Sequence, residues 1–256
     1  MGLFIPEDRS YDVSVRQTGF KRYKQLLSLH FGNWWKINLI TLAGFMPLAF
    51  GILYALLASS SLILLPASIL GGMIAGPFLA GLYDAIHRGL RDDPNNVWKN
   101  YRRSWKQNWK GSLIPGALTG LMIGLFAFMG MLLFWWAETA PTPGTVLLYL
   151  FSFLLLLVIS MLYWPQLVLF DQSAFIRLKN CMLFVLTYFW RVMAAALLQL
   201  AYWVIHILFA PWTALLLPFS GIWYIIFLSQ FLIYEKMDEA LHIEEAFRKN
   251  NEADPA

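Results

Sequence analysis

Apolar residues fill six runs of this chain, near 37–57, 62–83, 112–136, 145–170, 190–210 and 213–234. Each run is about 20 residues, the length a helix needs to cross the hydrocarbon core of a bilayer. The breaks between them alternate in kind. "ASSSL", "AETAPTPG" and "APWT" are short, so the runs they join form antiparallel helical hairpins. The connections at about 84–111 and 171–189 are longer and polar, and they join one hairpin to the next.

Ahead of the first and third runs the period changes. Trp98, Tyr101, Trp105 and Trp109 follow one another at steps of three and four, with Lys99, Arg103, Lys106 and Lys110 on another face. Phe20, Tyr23, Leu27, Phe31 and Trp34 repeat the design upstream of the first run. Such a pattern predicts an amphipathic helix in the membrane interface, rings among headgroups and cations towards anionic lipid. Each such helix leads to an aromatic–cation pair where the chain is expected to turn into the bilayer: Trp34-Trp35-Lys36, Trp109-Lys110 and Trp190-Arg191. The third copy, "LKNCMLFVLTYFWR", is more apolar than the others. The second run of each hairpin ends in an aromatic–acid pair, at Tyr83-Asp84, Phe170-Asp171 and Tyr234-Glu235.

These repeated entrances and exits predict an all-α polytopic membrane protein of six transmembrane helices. They form three hairpins, each preceded by an interfacial helix, related as a pseudo-threefold parallel repeat. Trp, Tyr and Lys are also enriched at membrane interfaces in general, so the pattern admits interface chemistry as well as repetition. The expected organisation is a single membrane domain over 1–256. It comprises an N-terminal segment 1–36, hairpin 37–83, basic connector 84–111, hairpin 112–170, connector 171–189, hairpin 190–234 and tail 235–256.

Composition agrees: 59% of residues are hydrophobic and 13% charged, with mean hydropathy +0.58, whereas soluble domains carry about 25% charged residues. The net charge of +4 does not indicate nucleic acid. All 19 Lys and Arg lie in the terminal segments, the long connections or the span ends facing them, and the short loops hold none. Because basic residues favour the cytoplasmic side, both termini are expected there. The N-terminal thirty-odd residues are polar, unlike a cleavable signal.

Small residues form two stripes, Gly72, Gly76 and Ala80, then Gly116, Gly120 and Gly124. Four-residue spacing of this kind lets helix backbones approach closely, here between the second and third spans or between two copies of the chain. Prolines at 66, 77, 165 and 218 predict kinks. Asp84, Asp171 and Glu235 are expected to form ion pairs with Lys36, Lys110 and Arg191 at the interface. Gln199, His206, Gln230 and Ser160 are expected to make hydrogen bonds between helices. Cys181 is the only cysteine and the four histidines are scattered, so neither a disulfide nor a metal cage is read. No catalytic motif appears and no cofactor is expected.

The stretch "GPFLAGLYDAIHRGLRDDPNNVWKNYRRSWKQNWKGSL", Gly76 to Leu113, resembles the YesL-like family of bacterial integral membrane proteins, and the likeness extends from about residue 20 to 240. In that family a glycine–proline end to the second span is followed by a basic, aromatic connector and Asn-aromatic-Lys. The resemblance carries no catalytic residues. It implies the bacterial cell membrane and an accessory role beside carbohydrate ABC importers, with the permease subunits as partners alongside lipid and the chain itself as a possible homo-oligomer. A stand-alone sugar transporter or channel is the alternative.

Overall fold

The computed structural model describes residues 16–93 and 97–247. Residues 1–15 of the N-terminal segment, 94–96 of the connector and 248–256 of the tail lie outside them. The described chain is helical: α1 (Gly19–Leu57), α2 (Ser61–Leu90), α3 (Val97–Met131, continued by a π-helical turn Leu132–Trp136), α4 (Pro143–Leu169), α5 (Ala174–Thr187), α6 (Phe189–Leu208), a 3-10 turn Trp212–Leu216 and α7 (Gly221–Leu241). Five of these, α1 to α4 and α6, are long and apolar enough to cross a membrane. The helices are those of a multi-pass membrane protein.

Two of the expected entrances are not turns. α1 runs unbroken through Trp35-Lys36, and α3 through Trp109-Lys110. At 1.5 Å per residue these helices are about 58 and 52 Å long, well beyond the ~30 Å apolar layer. The reason is a continuous packing stripe. Leu26, Trp34, Ile37, Thr41, Gly44 and Leu48 are buried at helical steps along α1, and Tyr101, Ser104, Ser112, Gly116, Gly120 and Gly124 along α3. Both stripes pack against α2, which passes its expected exit at Asp84 and remains buried to Leu90. A turn at the aromatic–cation pair would tear either stripe in two. Only the third expected entrance is preceded by a separate helix, α5, set off from α6 at Tyr188 (φ −118°, ψ 36°).

The helices are therefore packed unequally. α2 is central, in contact with α1, α3, α4 and α7. Its C-terminal half, from Ala75 onwards, is almost wholly buried, including Ala80, Leu82, Tyr83, Ile86 and Leu90. Of the apolar stretch in α2, 44% is buried within the chain, against 11% for α3.

The expected sixth span is also different. A helix was anticipated from 213 to 234, but α7 begins at Gly221 and runs on to Leu241. Pro218 cannot donate a backbone hydrogen bond and disfavours helix in the residue before it. The apolar part of α7, residues 221–234, is only about 21 Å long. The preceding stretch is irregular, yet its backbone is well served. Thr213 Oγ1 donates to His206 O at 2.7 Å, Tyr202 Oη to Gly221 O at 2.9 Å, and Phe219 N to Leu216 O at 2.9 Å.

Candidate functional site

The end of α2 organises the charged end of the molecule. It carries "DAIHRGLRDD", residues 84 to 93, in which acids and arginines stand within helical reach of one another. Asp84 accepts from Arg88 Nε at 2.9 Å, one turn on, where the sequence suggests Lys36. Arg88 also reaches Asp93 at 2.7 Å. Asp92 collects Arg22 at 2.6 Å and Arg16 at 3.3 Å. Both arginines also donate to Leu90 O, at 3.1 and 2.7 Å, a carbonyl in the last turn of α2, where cations suit the helix dipole. Pairing of this kind spares the buried Arg22 and Asp84 the cost of an uncompensated charge.

The segment after α7 folds back onto this hub. Ile243 is fully buried, Glu244 accepts from Arg16 at 2.7 Å and from Tyr234 Oη at 3.2 Å, and Arg91 lies 3.8 Å over the Phe247 ring. Beside the hub is a cleft of about 550 Å³. Its walls come from Thr18, Gly19 and Leu26 at the start of α1, Arg191 and Ala194 at the start of α6, and Phe231 to Glu239 on α7. Arg191 donates to Glu235 at 2.8 Å. This is the expected pair, and its hydrogen bond holds the Glu235 carboxyl below the usual range.

Deeper in the bundle, single polar side chains tie helices together. His87 Nε2 lies 3.1 Å from Gln230 Oε1, while Gln230 Nε2 donates to Met161 O at 2.9 Å. α2, α7 and α4 meet through these two residues. Gln199 Nε2 donates to Ser229 Oγ at 2.7 Å, joining α6 to α7. His206 instead contacts its own helix, with Nδ1 2.9 Å from Tyr202 O, so the expected interhelical bond is not its role. Asn38 is fully buried in α1 and serves the broken start of α7. Its Nδ2 donates to Leu217 O at 3.1 Å, and its Oδ1 accepts from Trp223 N at 3.3 Å. A Cβ at Gly221 would run into the Asn38 amide, so glycine is required there for close approach.

The two glycine stripes face each other. A Cβ on Gly116 would lie 2.8 Å from Gly76 Cα, and one on Gly72 would lie 2.8 Å from Gly120 Cα. Gly124 sits against Ser68, and Gly76 against the Ser112 carbonyl. α2 and α3 thus meet backbone to backbone, and these glycines are spent within the chain.

The aromatic seams are divided. Trp34 is a core residue: its Nε1 donates to Ala85 O at 3.2 Å and its ring lies 4.6 Å from Phe227. Tyr101 is buried against Gly81, and Trp105 is half-buried beside Phe78. Trp35 is half-buried; Trp98, Trp109 and Trp190 stand exposed, as do Lys36, Arg103 and Lys110. Asp171 is exposed and has no ion pair among the described residues. Cys181 is buried in α5 under Gln166, which donates to its sulfur at 3.2 Å, and burial pushes the thiol up to about 12. Among the described residues, no three His, Cys, Asp or Glu side chains converge to hold a metal ion.

Comparison with protein families, curated proteins and solved structures finds no match.

Proposed function

We propose that this chain is a non-enzymatic accessory membrane subunit that docks against the helices of another membrane protein. One observation carries the reading. Ile114, Leu118, Met122, Leu125 and Met129 are all exposed on α3, at steps of four, four, three and four, the spacing of a helix-packing seam. Lipid can cover any apolar face, but two methionines in a regular seam suit an adaptable protein contact. The polar groups support the same reading from the inside. His87, Gln230, Gln199, Ser229 and Asn38 are spent on joining helices. A solute carrier needs such groups turned into a shared cavity.

With both termini cytoplasmic, the chain makes six crossings in a bacterial cell membrane, the last by α7 together with the apolar turn before it. The permease subunits of a carbohydrate ABC importer are the partner implied by the YesL-like resemblance. The glycine stripes are taken up between α2 and α3. The test is affinity purification of the tagged chain at native expression after gentle solubilisation, with mass spectrometry of what accompanies it. Stoichiometric permease and ATPase subunits are expected, and Leu118→Trp with Met122→Trp should abolish their recovery without changing thermal unfolding. Recovery of the chain alone, while a neighbouring importer is expressed, would overturn the reading and direct attention to transport.

A further inference from the structure

The exposed seam of α3 does not begin at Ile114. Traced back along the same face it passes Lys110, Gln107 and Arg103, at steps of four, three and four, and all three are exposed. Arg102 and Lys106 flank this line and are exposed as well. The opposite face carries Ser112, Gly116 and Gly120 into α2. One outward face of a single unbroken helix is therefore apolar for about four turns and cationic for about two before them. Among the described residues, none of Arg102, Arg103, Lys106 and Lys110 is in an ion pair. Arg16, Arg22, Arg88 and Arg91, by contrast, are each matched with an acid.

Lipid headgroups do not account for these cations. From Ser112 to Trp136 the chain carries no charge, a length of about 38 Å that more than fills the ~30 Å apolar layer. Arg103 stands seven residues before Lys110, about 10 Å further out along the helix. A headgroup layer adds only about 5 to 8 Å on each side. Side chains on a helix also lean towards its N-terminus, which for α3 is away from the bilayer. Headgroups can serve Lys110, but the outer cations are left for a protein. A second copy of this chain is disfavoured. Two copies meeting on this face across a twofold axis along the membrane normal would set Arg103 and Lys106 against their own counterparts.

We propose that the helix docking on α3 belongs to a membrane protein in which that helix continues past the bilayer and carries acidic residues opposite Arg102, Arg103 and Lys106. The inference rests on the reading of α3 as a docking face and adds the chemistry by which the partner is chosen. Within the bilayer every helix is apolar, so apolar contact holds the pair but selects poorly. The charged turns outside it discriminate, because complementary charge fixes partner and register more than it adds affinity.

The photoreactive residue p-benzoylphenylalanine, placed at Gln107 or at Leu125 of the full chain in cells at native expression, tests this through mass spectrometry of the linked peptides. Both positions should link to one protein. The peptide reached from Gln107 should be rich in Asp and Glu and adjoin the apolar span reached from Leu125. Arg103→Glu with Lys106→Glu should lower linking from Leu125 by about tenfold, and converting the partner's linked acids to lysine should restore it. Both substituted positions are exposed, so thermal unfolding of the chain should not change. Linking of Gln107 to lipid, to the same chain, to a peptide without acids or to nothing, while Leu125 links to a protein, would overturn the acidic partner and leave the docking face standing. Unchanged linking from Leu125 in the charge-reversed chain would do the same. If Leu125 links to no protein, the docking face itself fails, and this inference with it.

Discussion

The α2–α3 seam and the α6–α7 pair hold helices together by opposite means. In the middle of α2 and α3 the contact is bare backbone, glycine on glycine from Gly76 and Gly116 to Gly72 and Gly120. At these four glycines no side chain intervenes, so the strength there is dispersion over a close approach. Between α6 and α7 the chain is interrupted by proline and irregular turns, and side chains carry the connection. Gln199 bonds Ser229, Tyr202 bonds Gly221 O, and Asn38 reaches in from α1. The first contact cannot tolerate added volume. The second cannot tolerate a lost hydrogen bond, since an unsatisfied backbone group in the apolar layer has no water to turn to.

The sharpest break in this comparison comes from adding atoms at the first contact. Gly116→Leu forces its side chain into the Gly72 carbonyl and Gly76 Cα, and backbone cannot move aside as a side-chain tip can. The expected loss is about 3 kcal/mol, at the upper end of overpacking costs, read as a fall in the denaturant midpoint in detergent. Gly32→Leu adds the same atoms on α1, where nothing lies within 4 Å of the new Cβ, and should leave the midpoint nearly unchanged. Equal effects would show that the α2–α3 seam is not the close contact described.

A smaller effect is expected from removing atoms at the second. Asn38→Ala takes the hydrogen-bond partner from Leu217 O and Trp223 N at once. Leaving such groups unsatisfied costs about 2 kcal/mol. The loss should be local, so limited proteolysis should cut within 209–220 earlier than in the parent. Cutting elsewhere, with that stretch still protected, would mean that Asn38 does not hold the start of α7.

The same contrast explains what the sequence could disclose. Runs of apolar residues and four-residue glycine spacing are local patterns, and both lead to helices and to the α2–α3 contact. Where helices stop was less legible. The doors at Trp35-Lys36 and Trp109-Lys110 look like turns because charge begins there. In fact, the buried stripes through Leu26 and Tyr101 continue past them. α2 likewise carries "DAIHRGL" beyond its expected exit because α1, α4 and α7 cover it, a tertiary fact that no window of residues contains. Asn38 is one polar residue two positions after a lysine, with nothing beside it in the sequence to mark it. Its role depends on a break 180 residues away, marked locally by Pro211 and Pro218. Arg16 and Arg22 stand in the sequence simply as basic residues of the N-terminal segment; their meeting at Leu90 O and Asp92 is a product of the fold.

The smallest expected effect tests the charged rim that lies between the two contacts. Arg191 and Glu235 join the start of α6 to the end of α7 at 2.8 Å, but their side chains are 48% and 69% exposed. Solvent and salt therefore screen the pair, and exposed pairs contribute little. The hydrogen bond from Arg191 lowers the Glu235 pKa from its ordinary 4.5. A carboxyl lowered in the folded state stabilises fully above its unfolded value and loses that contribution as pH falls through the folded one. Glu235→Gln should thus reduce the unfolding midpoint slightly at pH 7 and low salt. The difference should shrink with added salt and vanish as pH drops below 4.5 and on through the lowered pKa. A difference that persisted in acid would have to come from packing of the longer side chain, and the pair would then be a contact without an electrostatic role.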